Sequence, residues 1–152
     1  RFSYLFLDLT GDFEITKATG ADITVTGYTG VYDGVSHSIT VGGTIEGDTV
    51  YYSTDGGATW STEKPGFTNV GEYSVNVKAT NPNYADRTGS GTVKITPKAV
   101  TITVDNKSKV YGEADPAFTG TVEGLVNATD LGTVTYSRIG NDENVGTYTG
   151  VL

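Results

Sequence analysis

The stretch Gly71-Glu72-Tyr73-Ser74-Val75-Asn76-Val77-Lys78-Ala79-Thr80 decides the fold class. Tyr73, Val75, Val77 and Ala79 fall on every second residue, with Ser74, Asn76, Lys78 and Thr80 between them. Successive side chains of a strand point to opposite faces, so this pattern describes a strand with one buried and one wet face. The alternation returns around Val93 and Ile95, around Ile102 and Val104, and around Val134 and Tyr136. No stretch sustains the 3.6-residue apolar period of a helix. Turn signals separate the strands: Asp33-Gly34, Gly42-Gly43, Asp55-Gly56-Gly57, Asn81-Pro82-Asn83 and Gly140-Asn141-Asp142. Short strands with regular turns predict an all-β chain of immunoglobulin-like β-sandwich type. A β-grasp-like arrangement fits the same strand pattern.

Working outward, the chain repeats itself. Val31-Tyr32-Asp33-Gly34 matches Val110-Tyr111-Gly112, 79 residues later. The strand before each, Asp22–Thr26 and Thr101–Asp105, keeps the same offset. Asn69-Val70-Gly71-Glu72-Tyr73 matches Asn144-Val145-Gly146-Thr147-Tyr148 at an offset of 75, so the second copy is shorter between these landmarks. Gly11-Asp12-Phe13-Glu14-Ile15-Thr16 matches Gly91-Thr92-Val93-Lys94-Ile95-Thr96 at an offset of 80. The division expected from these matches has three parts. Residues 1–19 are the closing strand of a preceding repeat. Residues 20–97 are a first full immunoglobulin-like repeat. Residues 98–152 are a second repeat lacking its own closing strand. Thr96-Pro97-Lys98-Ala99 is the expected linker, and Pro97 should stiffen it.

Composition narrows the function classes. The formal net charge is −8, which opposes binding to phosphate backbones and anionic lipid; neither nucleic-acid binding nor membrane insertion is expected. Cysteine is absent, which removes thiol catalysis, disulfides and cysteine-ligated zinc and leans towards a bacterial source. The apolar start, residues 1–9, is short and contains Asp8, and it is not read as a signal peptide.

The pattern strand–VY(D/G)G–NVGxY–GTVxITP resembles the MBG-type repeats, of YDG and YGX varieties, found in bacterial surface proteins. Residues 101–118 and 135–148 are similar to the YGX type, and residues 31–61 to the bacterial immunoglobulin-like variety. The resemblance implies tandem domains on an extracellular, bacterial cell-surface adhesin. It implies neither catalytic residues nor a cofactor.

Ser53-Thr54-Asp55-Gly56-Gly57-Ala58-Thr59-Trp60 fits the Asp-box pattern S-x-D-x-G-x-T-W. Its physics is local: Asp55 can accept hydrogen bonds in the turn, the glycines permit positive φ, and Trp60 packs beneath. The ligand-binding alternative makes Trp60 a sugar-stacking platform, joined by Tyr51 or Tyr52, neighbours that must face opposite sides of their strand. His37 has no convergent ligands in the sequence for zinc and no nucleophile motif for serine chemistry. Asp115, Glu123 and Asp130 are scattered over turns and read as solvated carboxylates. Asp105, Asp115 and Asn141–Asn144 could offer oxygen to calcium, but no D-x-D-x-D-G loop is present. Lys94 and Lys98 lack the context of isopeptide cross-links. Asn106-Lys107-Ser108 and Asn127-Ala128-Thr129 are formal glycosylation sequons.

Two functions follow as expectations. In one, the repeats are spacers contacting neighbouring repeats of the same chain. In the other, they bind host mucin, glycan or matrix protein. The unmatched strands add head-to-tail self-association by strand exchange. No enzyme activity and no metal are expected.

Overall fold

The computed structural model describes residues 10–152; the readings placed on residues 1–9 lie outside them. The protein is all-β. Its strands are β1 Thr24–Thr26, β2 Tyr28–Val31, β3 Thr40–Gly42, β4 Thr49–Ser53, β5 Gly71–Thr80, β6 Arg87–Thr96, β7 Thr101–Val104 and β8 Gly120–Glu123. They form three sheets: β1-β3, a four-stranded β2-β6-β5-β4, and β7-β8. Two compact units interleave along the sequence. Unit 1 takes the described residues up to Gly27, Ile39–Pro65 and Ser74–Thr92; unit 2 takes Tyr28–Ser38, Gly66–Tyr73 and Val93–Leu152. Strands β5 and β6 contribute to both.

In unit 1, β4 and β5 pair antiparallel, with Val50 opposite Ala79 and Tyr52 opposite Val77. The period-two stripe is buried as its sequence demands: Val75, Val77 and Ala79 are sealed from solvent, as is Ile39. Sheet β1-β3 is also antiparallel, with Val25 opposite Val41. Two glycines of β6 make room for it. A Cβ on Gly91 would stand 2.8 Å from Val25 Cγ1 and 3.1 Å from Ile39 Cγ2, and one on Gly89 would stand 2.8 Å from Val25 Cγ2. Gly91, a landmark of the repeat, is therefore fixed by the close approach of β1.

A buried polar knot ties the turns of this unit. Arg87 pairs with Asp48, both side chains at most 5 % exposed, and reaches towards the carbonyls of Ala21 and Gly43. Asn81 donates to Asp48 Oδ1 and to the carbonyl of Glu46. The turn glycines behave as their sequence signals require: Gly34, Gly43, Gly56, Gly57 and Gly140 all have positive φ.

In unit 2, β2 runs parallel to the end of β6, with Tyr28 opposite Val93 and Gly30 opposite Ile95. Val93 and Ile95 are buried. Three readings of the sequence need correction here. The alternation at Thr101–Val104 does form β7, but Ile102 is exposed and Val104 only half-buried, because its sheet has just one other strand, β8. Residues around Val134 and Tyr136 form no strand. The Tyr136 ring instead lies over Gly120, where an added Cβ would meet its Cε1 at 2.6 Å. Residues 10–17 also form no strand; the segment's first pairing is an isolated bridge from Ala18 to Tyr84 in unit 1.

Gly91→Ala should destabilise the protein by about 1–3 kcal/mol through overpacking, measured by urea denaturation, and adding Val25→Ala should recover part of that loss. The Ile45 backbone N–H holds the Asp48 carboxyl below its ordinary range, helped by Asn81 and Arg87 and opposed by burial. A carboxyl depressed in the folded state stabilises fully above its unfolded pKa, about 3.9, and that contribution vanishes as pH falls through the folded value. Thermal stability should thus fall below about pH 4, and Asp48→Asn should flatten that acid limb while lowering stability at neutral pH.

Candidate functional site

The best-built local arrangement is the Asp-box loop that follows β4. Asp55 accepts from Ser53 Oγ at 2.7 Å, from the Thr59 N–H at 2.9 Å, and from the Thr59 hydroxyl. The Gly57 N–H donates to the buried Ser53 Oγ at 2.8 Å. Positive φ at Gly56 and Gly57 turns the chain back. Tyr52 and Ser61 then exchange both backbone hydrogen bonds, at 2.7 and 2.9 Å, closing the loop. The Thr59 hydroxyl, its N–H and Ser53 together hold the Asp55 carboxyl far below the ordinary carboxylate range. Its oxygens are spent on the turn. The structural reading of the motif therefore accounts for Asp55.

Trp60 is half-buried and its indole N–H donates to the Gly57 carbonyl at 3.0 Å. Lys78 Nζ lies over the Trp60 ring, 4.6 Å from its centroid, and 5.7 Å from that of Tyr51. Tyr51 stands directly opposite Lys78 across the β4–β5 ladder, whereas Tyr52 stands opposite the buried Val77. Residues directly opposite in a ladder share a face. The structure thus brings Trp60 and Tyr51 together around a lysine and turns Tyr52 to the other side. Two aromatic rings and an ammonium can stack on a sugar and donate to its hydroxyls. Lys78 was not singled out by the sequence. The signal was its place in the alternation, on the outer face of β5.

Two further clusters lie in unit 2. His37 stacks on Tyr28 with ring centroids 3.9 Å apart, and its Nε2 lies 2.9 Å from Asp33 Oδ1. The Val35 N–H, followed by His37, lowers the Asp33 pKa. The second cluster joins Lys109, Asp115, Arg138 and Glu143. Lys109 lies 2.9 Å from Asp115 Oδ1, and Arg138 Nε donates to Asp115 Oδ2 at 2.7 Å. Glu143 accepts from both cations. Lys109 followed by Arg138 depresses the carboxyls of Asp115 and Glu143. These are among the oxygens that calcium would have used, and they are committed to cations. Among the described residues no three His, Asp or Glu side chains converge as metal ligands.

The other candidates are dispersed. Asp130 binds the Asn127 N–H and accepts from the Tyr32 hydroxyl, and Asp105 accepts from the Thr119 hydroxyl. Lys94 is exposed and paired with Glu72 at 3.3 Å, unlike the buried lysine of an isopeptide cross-link. No helix among the described residues is long and apolar enough to cross a membrane.

What the fold defines is an all-β chain without helix among the described residues. Residues 100–151, about a third of the chain, match the model of the family described as MBG domain (YGX type). The resemblance read from the sequence is borne out over that segment. The family is a repeat domain of surface proteins, structural and non-catalytic in kind. Searches of curated proteins and of solved structures give no match.

Lys78→Gln should cost about 0.5–1 kcal/mol, the scale of a cation–π contact. It should also shift the emission of Trp60, the single tryptophan, so one fluorescence-monitored denaturation reads both effects.

Proposed function

We propose that this chain is a run of spacer repeats from the stalk of a bacterial cell-surface adhesin, working outside the cell. One observation carries the reading. The segment matching the MBG domain shares landmark motifs with residues 20–97 at nearly constant spacing, which supports reading the chain as an array of similar units. Repetition serves length and projection, since stacked modules build a rod whose reach grows with their number. The excess negative charge keeps such a rod soluble and self-repelling.

A second reading is favoured by the Trp60–Lys78–Tyr51 cluster, whose rings and ammonium suit a carbohydrate or mucin ligand. Tyr52 is not part of that surface.

Two tandem copies of the chain should have a maximum dimension about twice that of one in small-angle X-ray scattering; a compact two-copy particle would sink the spacer reading. Saturable binding of the single chain to a mucin and glycan array, abolished by Trp60→Ala, would establish the second reading.

A further inference from the structure

The two copies differ at one turn. Thr44-Ile45-Glu46-Gly47 matches Thr121-Val122-Glu123-Gly124 at an offset of 77. Just beyond, Thr49-Val50 and Tyr52-Ser53 match Thr133-Val134 and Tyr136-Ser137 at an offset of 84. Gly47 and Gly124 both have positive φ, so the turn opens alike in each copy. The second copy then carries seven extra residues. In the first copy only Asp48 fills this place, and it is spent on Arg87 and Asn81. In the second, residues 125–132 fill it.

The inserted side chains meet the Val31-Tyr32-Asp33-Gly34 landmark of the first copy, and both lie within unit 2. Tyr32 is set at the end of β2, where its N–H donates to the Thr96 carbonyl at 2.9 Å. A tyrosine hydroxyl can both donate and accept, and this one does both. It donates to Asp130 Oδ1 at 3.1 Å and accepts from Asn127 Nδ2 at 3.2 Å. Asn127 and Asp130 hold each other in place. The Asn127 N–H donates to Asp130 Oδ2 at 2.8 Å, and the Asp130 N–H to the Asn127 carbonyl at 3.0 Å. Two glycines permit the close approach. A Cβ on Gly34 would stand 2.9 Å from Val126 Cγ1, and one on Gly124 would stand 2.8 Å from the Ala99 carbonyl oxygen in the linker. Tyr32, Val70 and Pro97 line a pocket of about 330 Å³ together with Leu125, Val126 and Leu131.

We propose that residues 125–131 are a docking clamp by which the YGX-type repeat seats on the Tyr32–Gly34 corner of the repeat before it, making the linker a fixed joint and not a hinge. The proposal rests on reading the chain as an array of repeats. Tandem domains move relative to one another by default, unless contacts beyond the linker hold them. Here the insertion supplies those contacts, through the Tyr32 hydroxyl, the space left by Gly34 and the apolar lining of the pocket. The clamp also chooses its neighbour. A preceding repeat must offer a hydroxyl at the position of Tyr32 and no side chain at that of Gly34.

The full 152-residue chain tests this with spin labels on Thr29→Cys and Thr103→Cys, since it has no other cysteine. Both positions are exposed, on β2 and β7, and both belong to unit 2. Pulsed dipolar spectroscopy of the labelled parent should give one narrow distance distribution. Tyr32→Phe should broaden it about twofold, and so should Asn127→Ala with Asp130→Ala. Tyr32→Phe keeps the ring and leaves the 127–130 turn its own hydrogen bonds, so its circular dichroism should match the parent's. A broad distribution in the parent overturns the inference. So does a distribution as narrow as the parent's in either variant; in Tyr32→Phe, that result would confine the turn to its own repeat. The label distance reports the joint alone. Scattering by tandem copies reports length, and the glycan array reports ligand, so each of the three can fail without the others.

Discussion

Strand β6 is the constraint on which the first repeat depends. It needs a neighbour on each side, and it takes β2 in parallel on one and β5 on the other. Parallel pairing cannot be made by a tight hairpin; it joins segments far apart in sequence, here Tyr28 with Val93. Pairing brings Val93 and Ile95 out of water and leaves Lys94 on the wet face beside Glu72. Burial of such side chains is the main favourable term, and it is realised only when both neighbours are in place.

The features of unit 1 serve the approach of its own segments. Gly89 and Gly91 remove side chains where Val25 comes in. The Arg87–Asp48 pair, with Asn81 beside it, ties the turns together through the carbonyls of Ala21, Gly43 and Glu46. The Asp-box loop is a self-contained turn: its carboxylate, hydroxyls and backbone satisfy one another, and it presents Trp60 to Lys78. A spacer needs such rigidity, and a carbohydrate surface would need the same fixed rings. One loop therefore suits either reading.

Legibility followed locality. The β5 stripe, the turn glycines and the Asp-box could be read from a few adjacent residues, and all three stand in the structure. The Ile102 and Val134–Tyr136 alternations were equally plain, but a period of two states only which side chains share a face, not whether a second layer covers it. Trp60 and Tyr51 could be named from residue type. Their assembly could not, because Lys78 and the register of β4 against β5 supply it. The Lys109–Asp115–Arg138–Glu143 cluster left no trace in the sequence, since its members are spread across turns.

By itself the sequence determined the all-β class, the repetition, the turn positions and the local chemistry of the Asp-box, because alternation, positive φ and short-range hydrogen bonds act over a few residues. Tertiary structure alone decided which strands became neighbours, that β2 and β6 run parallel, which face each tyrosine took, and that Phe13 and Ile15 lie exposed while their counterparts are buried. Those outcomes turn on contacts between segments distant in the chain, where burial depends on what arrives opposite and not on the residue's own neighbours.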